Sequence, residues 1–390
     1  RRHLGARRYN AAPEAAIPPR LDDPLIPAIR QHERAIALRA EGRFAAAERA
    51  CRLAIAGYQA VEGAHHADVA NALVELGLVL EARDRLREGA RCHRRALQIL
   101  GSRAHLRSRD PDIARLRVRA RTALGGIDRT LGAYEAADRG YRTALAEIRR
   151  RFGPRDRYIA GVFNDFGVLR KAQGRYDEAL AFYRRALPLV PRGDRHALAT
   201  LAHNLGGIEH ARGNFARAEP HARRSVRLRT GLVGANHPSV AADVAALAAI
   251  VEARGRLAEA AALYRRALAI FGRVLGPASL EVGLNLACLA AVEQRRHAYG
   301  RARSLYARAL AIQERVLGRH HADVAMTVNN LAVLERDDGH LERAAALFRR
   351  ALGSFVRTLG RRHPHAVLAL ANRRAVDREI ALKNDRRTRR

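Results

Sequence analysis

The chain has 390 residues, of which 48% are apolar and 5% aromatic, with no Trp. This length allows two or three ordinary domains or one extended array, and the Ala-rich apolar fraction disfavours sheets relative to packed helices. The formal charge of +33 comes from 72 basic and 39 acidic residues, and it excludes neither a nucleic-acid binder nor a scaffold until the charge is located.

The three cysteines, Cys51, Cys92 and Cys288, are odd in number and show no regular spacing. This pattern excludes a disulfide framework and favours free thiols in a reducing compartment. No signal-peptide pattern opens the chain, and no apolar run reaches the roughly 18 residues of a membrane span. We therefore expect a cytoplasmic protein. Because the chain starts at Arg1 without Met, it could be a piece of a longer protein.

Residues 1–27 are rich in Pro and Arg and are predicted to be a disordered or linker segment. A repeated pattern follows over residues 28–364. The segment LYRRALAIFGRVLG, Leu263–Gly276, returns 42 positions later as LYARALAIQERVLG, Leu305–Gly318, with 11 of 14 positions identical. Internal repetition at such a period is the sequence signature of a repeat array.

A single marker position counts the repeats. Its occupants are Arg52, Arg94, Arg142, Arg184, Arg223, Arg265, Ala307 and Arg349. The spacing is 42 residues except for one interval of 48, with an insertion near Gly101–Asp110, and one of 39, with a deletion near Val190–Arg195. The sequence therefore predicts eight repeats.

Each repeat is predicted to form a helix, a short turn and a second helix. In the last repeat these are Val324–Asp337, the turn Asp338–His340, and Leu341–Leu359. Three positions in every repeat are always Gly, Ala or Ser, which lets helix axes approach closely. One helix pair cannot bury such a face alone, so the repeats must stack. Residues 365–382 are predicted to be a capping helix, and 383–390 a basic tail.

The repeats resemble the tetratricopeptide repeat (TPR), specifically the 42-residue kinesin-light-chain type. The motifs that carry the resemblance are NNLA at Asn329–Ala332, GRYDEA at Gly174–Ala179, YRRAL at Tyr183–Leu187 and VLGRHHADVA at Val316–Ala325. The resemblance implies an all-α fold, a right-handed superhelical solenoid of eight helix-turn-helix repeats with a C-terminal capping helix. It also implies a concave face, lined by the first helices, that binds peptides.

Basic and acidic residues are equal in number on that implied face. Its basic members are Arg39, Arg119, Arg129, Lys171, Arg295 and Arg336, and its acidic members are Glu33, Glu75, Glu81, Asp165, Glu252 and Asp337. The excess positive charge is therefore expected on the second helices, turns and tails, with pairs such as Arg184-Arg185 facing outward. A neutral face argues against a phosphate-tracking channel, so no specific nucleic acid is expected as a partner.

Polar residues of the face cluster in repeats four, five and eight. The predicted peptide-groove residues are Asn164, Asp165, Lys171, His203, Asn204, His210, Asn329, Asn330 and Arg336. In the resembled family, Asn at the positions of Asn204 and Asn330 commonly pairs with an extended peptide backbone, and an amide carries the donor and acceptor for it. The alternative is that these side chains bond neighbouring helices.

No cofactor, metal or catalytic site is predicted. His66, His237, His321 and His363 recur just before first helices, which favours a role at helix entry over metal binding. His203 and His210, on one face of a first helix, are better placed to bind a metal together, but metal binding is the less favoured interpretation for them too. No phosphate loop, nucleophile elbow or carboxylate pair appears, so we predict that the chain is not an enzyme.

We predict a protein–protein interaction scaffold that holds an extended peptide or a partner helix on its concave face. The alternative is a sensor or regulatory arm of a larger NTPase or protease effector, associated covalently or non-covalently. A weaker alternative is a nucleic-acid binder that uses the convex Arg surface.

Overall fold

The computed structural model describes residues 23–83 and 85–388, with side chains up to residue 383. The predicted segment 1–27 lies mostly outside the described residues. Those residues form helices and turns and contain no strand. The chain divides into two compact units, Arg1–Gly193 and Asp194–Arg390, and the boundary falls inside the predicted deletion near Val190–Arg195.

The first unit contains the first four repeats. Its helices are α1 (Ile26–Ala40), α2 (Phe44–Glu62), α3 (Ala67–Glu81), α4 (Leu86–Leu100), α5 (Arg103–Arg107), α6 (Pro111–Thr130), α7 (Tyr134–Phe152), α8 (Tyr158–Ala172) and α9 (Tyr176–Ala186). The short helix α5 forms in the predicted insertion. A 3₁₀ turn, Leu187–Leu189, follows α9 at the predicted deletion.

The second unit contains the other four repeats and the last helix. Its helices are α10 (Arg195–Ala211), α11 (Phe215–Val233), α12 (Pro238–Ala253), α13 (Leu257–Val274), α14 (Leu280–Arg295), α15 (Tyr299–Leu317), α16 (Ala322–Asp337), α17 (Leu341–Leu359) and α18 (Pro364–Thr388). The limits of α17 match the predicted second helix of repeat eight. The helix α18 continues past Leu382, where the capping helix was predicted to end.

The small residues of the first helices make room for large residues of the second helices. A β-carbon at Gly77 would lie 2.4 Å from Cε1 of His93, and one at Gly167 would lie 2.3 Å from Cε1 of Tyr183. Contacts this short are sterically forbidden, so the repeat pattern of small residues is a packing requirement. The helix pairs of repeats two and four are thereby held at close range.

Glycines with positive φ end several second helices. Gly234, Gly318 and Gly360 have φ of 83°, 84° and 89°. Their ψ values are 158°, 149° and 158°, so they adopt an extended conformation that is nearly exclusive to glycine.

Candidate functional site

Within each unit the first helices form a continuous layer. In the first unit α1 contacts α3, α3 contacts α6, and α6 contacts α8; in the second, α10, α12, α14, α16 and α18 contact one another in order. Successive second helices are separated by the first helix between them, and each packs on the first helix of its own repeat and on that of the next repeat. The first-helix layer is therefore the more closely packed, inner side of each unit, and we call it the first-helix face.

A cavity of about 220 Å³ opens in the first-helix face of the first unit. Its lining comes entirely from three consecutive first helices: Asn71 of α3; Asp112, Arg115, Leu116, Val118, Arg119 and Thr122 of α6; and Tyr158, Gly161, Val162 and Asp165 of α8. Polar groups of both charges thus converge with apolar side chains, which is the usual make-up of a ligand site.

Asp165 is the predicted groove residue that lines this cavity. Burial raises the pKa of its carboxyl to about 7, although a hydrogen bond from Asn164 and the charge of Arg129 act in the opposite direction. The carboxyl is therefore only partly ionised at neutral pH, and a hydrogen-bond donor in the cavity would favour the ionised form. A carboxyl in this state is typical of functional sites.

The two arginines of the cavity are held by other groups of the same unit. The guanidinium of Arg115 lies 5.1 Å from the ring centre of Phe152 and 5.4 Å from that of Tyr158. Arg119 donates to Glu75 Oε2 over 2.8 Å, and Glu75 also binds Arg39. These contacts fix both side chains before any ligand arrives, which reduces the entropy cost of binding.

The second unit places His203 in a buried hydrogen-bond network. Its Nδ1 lies 2.7 Å from Oδ1 of Asp243, while Ser225 Oγ and Arg229 Nε donate to Oδ2 over 2.7 and 2.8 Å. Burial alone would raise the pKa of the Asp243 carboxyl, but these hydrogen bonds outweigh it and lower the pKa. His203 therefore links repeat five to repeat six, and sequence analysis missed Asp243 among the alanines of α12.

The remaining predicted groove residues differ in exposure. Lys171 is exposed and Asn204, His210, Asn330 and Arg336 are half-buried, whereas Asn329 is buried. The Asn329 side chain lies in the packed interior, where its Oδ1 has no hydrogen-bond partner among the described residues. His210 packs on the ring of Phe215 with centroids 5.4 Å apart. The structure thus groups Asn164, Asp165 and Lys171 on α8, and His203, Asn204 and His210 on α10.

Charged residues of the first-helix face pair between neighbouring repeats. Glu75 joins Arg39 of repeat one to Arg119 of repeat three, and Arg295 lies 3.3 Å from Glu252. In repeat eight Arg336 Nη2 lies 3.4 Å from Oδ1 of Asp337. These pairs neutralise much of the face, in agreement with the charge balance predicted from the sequence.

The recurring histidines cap first helices, as predicted. Backbone N–H groups donate to Nδ1 of His66, His237, His321 and His363 over 3.2–3.3 Å. Among the described residues, Glu62, His66 and Asp68 are the three whose potential ligand atoms lie within 4.8 Å of one another. Because His66 Nδ1 already accepts the N–H of Asp68, this group is explained by the helix cap.

The outward arginines lie where the sequence predicts them. Arg184, Arg185, Arg223, Arg224, Arg265, Arg266 and Arg349 are exposed. Arg350 is half-buried and binds Glu314. Within the described residues, no helix is both long and apolar enough to cross a membrane.

Comparison with known families agrees with this architecture. A family model described as tetratricopeptide repeat matches residues 116–192, 197–273 and 281–355, and a second model with that description matches residues 29–68. The chain belongs to the tetratricopeptide repeat family. No curated protein matches the chain by sequence.

Solved structures resemble this chain to different degrees, all at low sequence identity. The apo form of the quorum sensor NprR from B. thuringiensis has a TM-score of 0.61 and 13% identity, covering 85% of this chain and 88% of that one. A STAND signal-transduction ATPase with a TPR sensor from Pyrococcus horikoshii has a TM-score of 0.58 and 12% identity, covering 85% and 49%. A kinesin light chain with nearly identical repeats from Podosopora anserina has a TM-score of 0.43 and 20% identity, covering 50% and 95%.

Proposed function

We propose that this TPR protein is a non-catalytic, cytoplasmic scaffold whose first-helix face binds an extended peptide or a helix of a partner protein. The observation that carries the proposal is the cavity around Asp165, because its lining comes only from first helices of three successive repeats. A ligand lying across α3, α6 and α8 would contact all three at once. The three free thiols support the cytoplasmic setting.

Each unit contributes its own groove residues to the proposal. Asn164, Asp165 and Lys171 serve the first unit; His203, Asn204 and His210 serve repeat five, and Asn330 and Arg336 serve repeat eight. Asn204 and Asn330 are the candidates for pairing with a peptide backbone, whatever its sequence. Asn329, being buried, would act by positioning the helix.

A peptide-pool experiment tests the proposal. Fluorescent hexapeptide pools, each with one fixed position, would be titrated into the full chain at pH 7.5 with anisotropy as the readout. Replacing Asp165 with Asn, or Asn204 with Ala, should weaken the best pool about tenfold, the effect of one lost buried hydrogen bond. Arg224→Ala, on the exposed side of α11, is the control and should leave binding unchanged.

Thermal unfolding of the groove variants separates an effect on binding from an effect on folding. Thermal melts of the Asp165 and Asn204 variants should overlay that of the wild type at pH 7.5 within a few degrees. The proposal fails if no pool binds, or if Arg224→Ala weakens binding as strongly as the groove variants do. Loss of folding in Asn204→Ala would make that residue structural, and Asp165→Asn would then decide alone.

A sensor or regulatory arm is the second candidate function. The observation that favours it is the shared fold with two proteins whose names describe sensors, one of them an ATPase of which the match covers 49%. The reading frame that encodes this chain tests it directly. An adjoining NTPase or protease domain would support this function, and an isolated array would favour the scaffold.

A further inference from the structure

A second cavity lies on the second-helix side of repeats one and two. It has a volume of about 360 Å³, with α2 and α4 as its walls and α3 as its floor. The lining residues are Arg52, Ile55, Ala56 and Gln59 of α2; Leu73 and Leu76 of α3; and Arg91, Cys92 and Arg95 of α4. This volume lies within the roughly 300–1,000 Å³ range of small-ligand pockets.

A small residue of α4 borders this groove. Cys92 is the seventh residue of α4; the seventh residues of four later second helices are the larger Phe182, Leu263, Leu305 and Leu347, whereas α2 and α7 have Ala50 and Gly140 there. Leu347 packs on the buried cluster around Val328 and Phe355 in repeat eight. The shorter side chain of Cys92 leaves the corresponding space in repeats one and two unfilled.

The rim of the cavity is strongly basic. Arg52, Arg91 and Arg95 are exposed, and the lining contains no acidic residue. Arg52 binds Glu48, but Arg91 and Arg95 form no ion pair with any residue that the structure describes. Glu88 lies near Arg91, yet its two carboxylate oxygens accept from Arg85 over 2.7 and 2.6 Å. Two guanidinium groups are therefore available beside an apolar floor.

The corresponding groove of repeats seven and eight supplies its own anion. There Arg350, the tenth residue of α17, binds the carboxylate of Glu314, the sixteenth residue of α15. In repeats one and two the same positions hold Arg95 and Gln59. The first groove thus keeps the arginine but lacks both the carboxylate of Glu314 and the side chain of Leu347.

We propose that the cavity between α2, α3 and α4 binds a small amphipathic carboxylate. Its anionic group pairs with Arg95 and Arg91, as the Glu314 carboxylate pairs with Arg350 in repeats seven and eight. Its apolar chain lies on Leu73, Leu76 and Ile55. A guanidinium binds a carboxylate through two parallel hydrogen bonds, which gives such a site orientation as well as affinity. Burial of the apolar chain adds the hydrophobic contribution.

Calorimetric titration of the full chain with three probes tests the two halves of the site. Octanoate carries both the charge and the apolar chain, acetate carries only the charge, and octan-1-ol carries only the chain. Octanoate should bind with an affinity at least about tenfold above either partial probe, since each half contributes separately. Equal binding of acetate and octanoate would show charge attraction alone and overturn the proposal.

Two variants give the cavity of repeats one and two the residues that occupy the corresponding groove of repeats seven and eight. Gln59→Glu supplies the missing carboxylate to Arg95, and Cys92→Leu fills the cavity; each should weaken octanoate binding at least about tenfold. Gln98→Glu makes the same charge change at an exposed position of α4 outside the lining, and it should leave binding unchanged.

Thermal melts keep the result interpretable. Gln59→Glu should fold and melt at or above the wild-type temperature because it adds an ion pair, so it remains informative if Cys92→Leu does not fold. Absence of octanoate binding to the wild type overturns the proposal. So does unchanged binding by Gln59→Glu, or a site that takes only acidic hexapeptides and no octanoate. Because the peptide pools are measured separately, failure here leaves the proposed scaffold function standing.

Discussion

At the scale of single residues, His93 shows how the repeat pattern admits a titratable group into the core. It occupies the eighth position of α4, where Tyr141, Tyr183 and Phe348 stand in other repeats. Its side chain is fully buried against Gly77, and neither ring nitrogen has a hydrogen-bond partner among the described residues. Burial, with a smaller effect from Arg119, lowers the pKa of His93 to about 4.

This shift makes the protein sensitive to mild acid. Because the folded pKa lies below the ordinary 6.5, the unfolded chain binds the proton more readily, and stability falls as pH decreases from about 6.5 to 4. His93→Phe should remove this loss, worth about 3 kcal/mol between those pH values, since one pKa unit corresponds to about 1.4 kcal/mol. Urea unfolding of both proteins at pH 7 and pH 4.5 measures the difference.

A matched variant identifies the source of the pH dependence. His320 is exposed, so His320→Phe should keep the wild-type dependence on pH. If His93→Phe and the wild type lose stability in parallel on acidification, the pKa of His93 is the same in the folded and unfolded states and the argument fails. His32, also buried with a lowered pKa, would then be the next residue to replace.

Between helices, one position of the second helix forms ion pairs across alternate repeat interfaces. The fifth residue of the second helix is charged in odd repeats, as Glu48, Asp138, Glu219 and Arg303, and apolar in even repeats, as Ala90, Leu180, Ala261 and Ala345. Each charged member binds an oppositely charged residue of the following repeat: Arg83, Arg170, Arg254 and Asp338, respectively. At this position the array therefore alternates with a period of two repeats.

The interface between repeats seven and eight reverses the usual sign. Arg303 donates to Glu335 and to Asp338, each over 2.6 Å. At the interface between repeats five and six, the same position holds the acidic residue Glu219. Arg303→Glu should cost about 2 kcal/mol, because it places like charges at a largely buried contact. Urea unfolding at pH 7 measures the loss.

A triple variant is the control for this prediction. Combining Arg303→Glu with Glu335→Val and Asp338→Arg reproduces the residues Glu219, Val251 and Arg254 of repeats five and six. It should recover most of the lost stability, since the pair is restored with its sign exchanged. If the triple variant is as unstable as the single one, packing rather than charge determines this interface.

The sequence predicts the helices well because their periodicity and small residues are local signals. The turn Asp338–His340 and the helix Leu341–Leu359 were predicted from one repeat and confirmed. The partners of polar side chains were not predicted, because they lie about 30–45 residues away on neighbouring repeats. Asp243, which binds His203, lies in a helix that otherwise appears as a run of small apolar residues. Asn329 likewise carries a groove motif but faces the interior.

On the scale of the whole molecule, the charge of +33 is distributed over two kinds of surface. On the first-helix face, acids and bases pair across repeats, as Arg39, Glu75 and Arg119 do. On the second helices, exposed arginines outnumber their acidic partners. The excess positive charge is therefore concentrated on the second helices, and it favours non-specific attraction of polyanions over a peptide site.

This separation predicts different salt responses for two ligands. A labelled DNA duplex should bind at 50 mM salt and lose about a thousandfold in affinity by 200 mM, because each phosphate contact releases counterions. The loss should be the same for any duplex sequence. Binding of the best peptide pool should change far less, since the first-helix face is nearly neutral. Anisotropy titrations of both ligands against the same protein preparation make the comparison, and duplex binding that persists at 200 mM or depends on sequence would favour the nucleic-acid alternative.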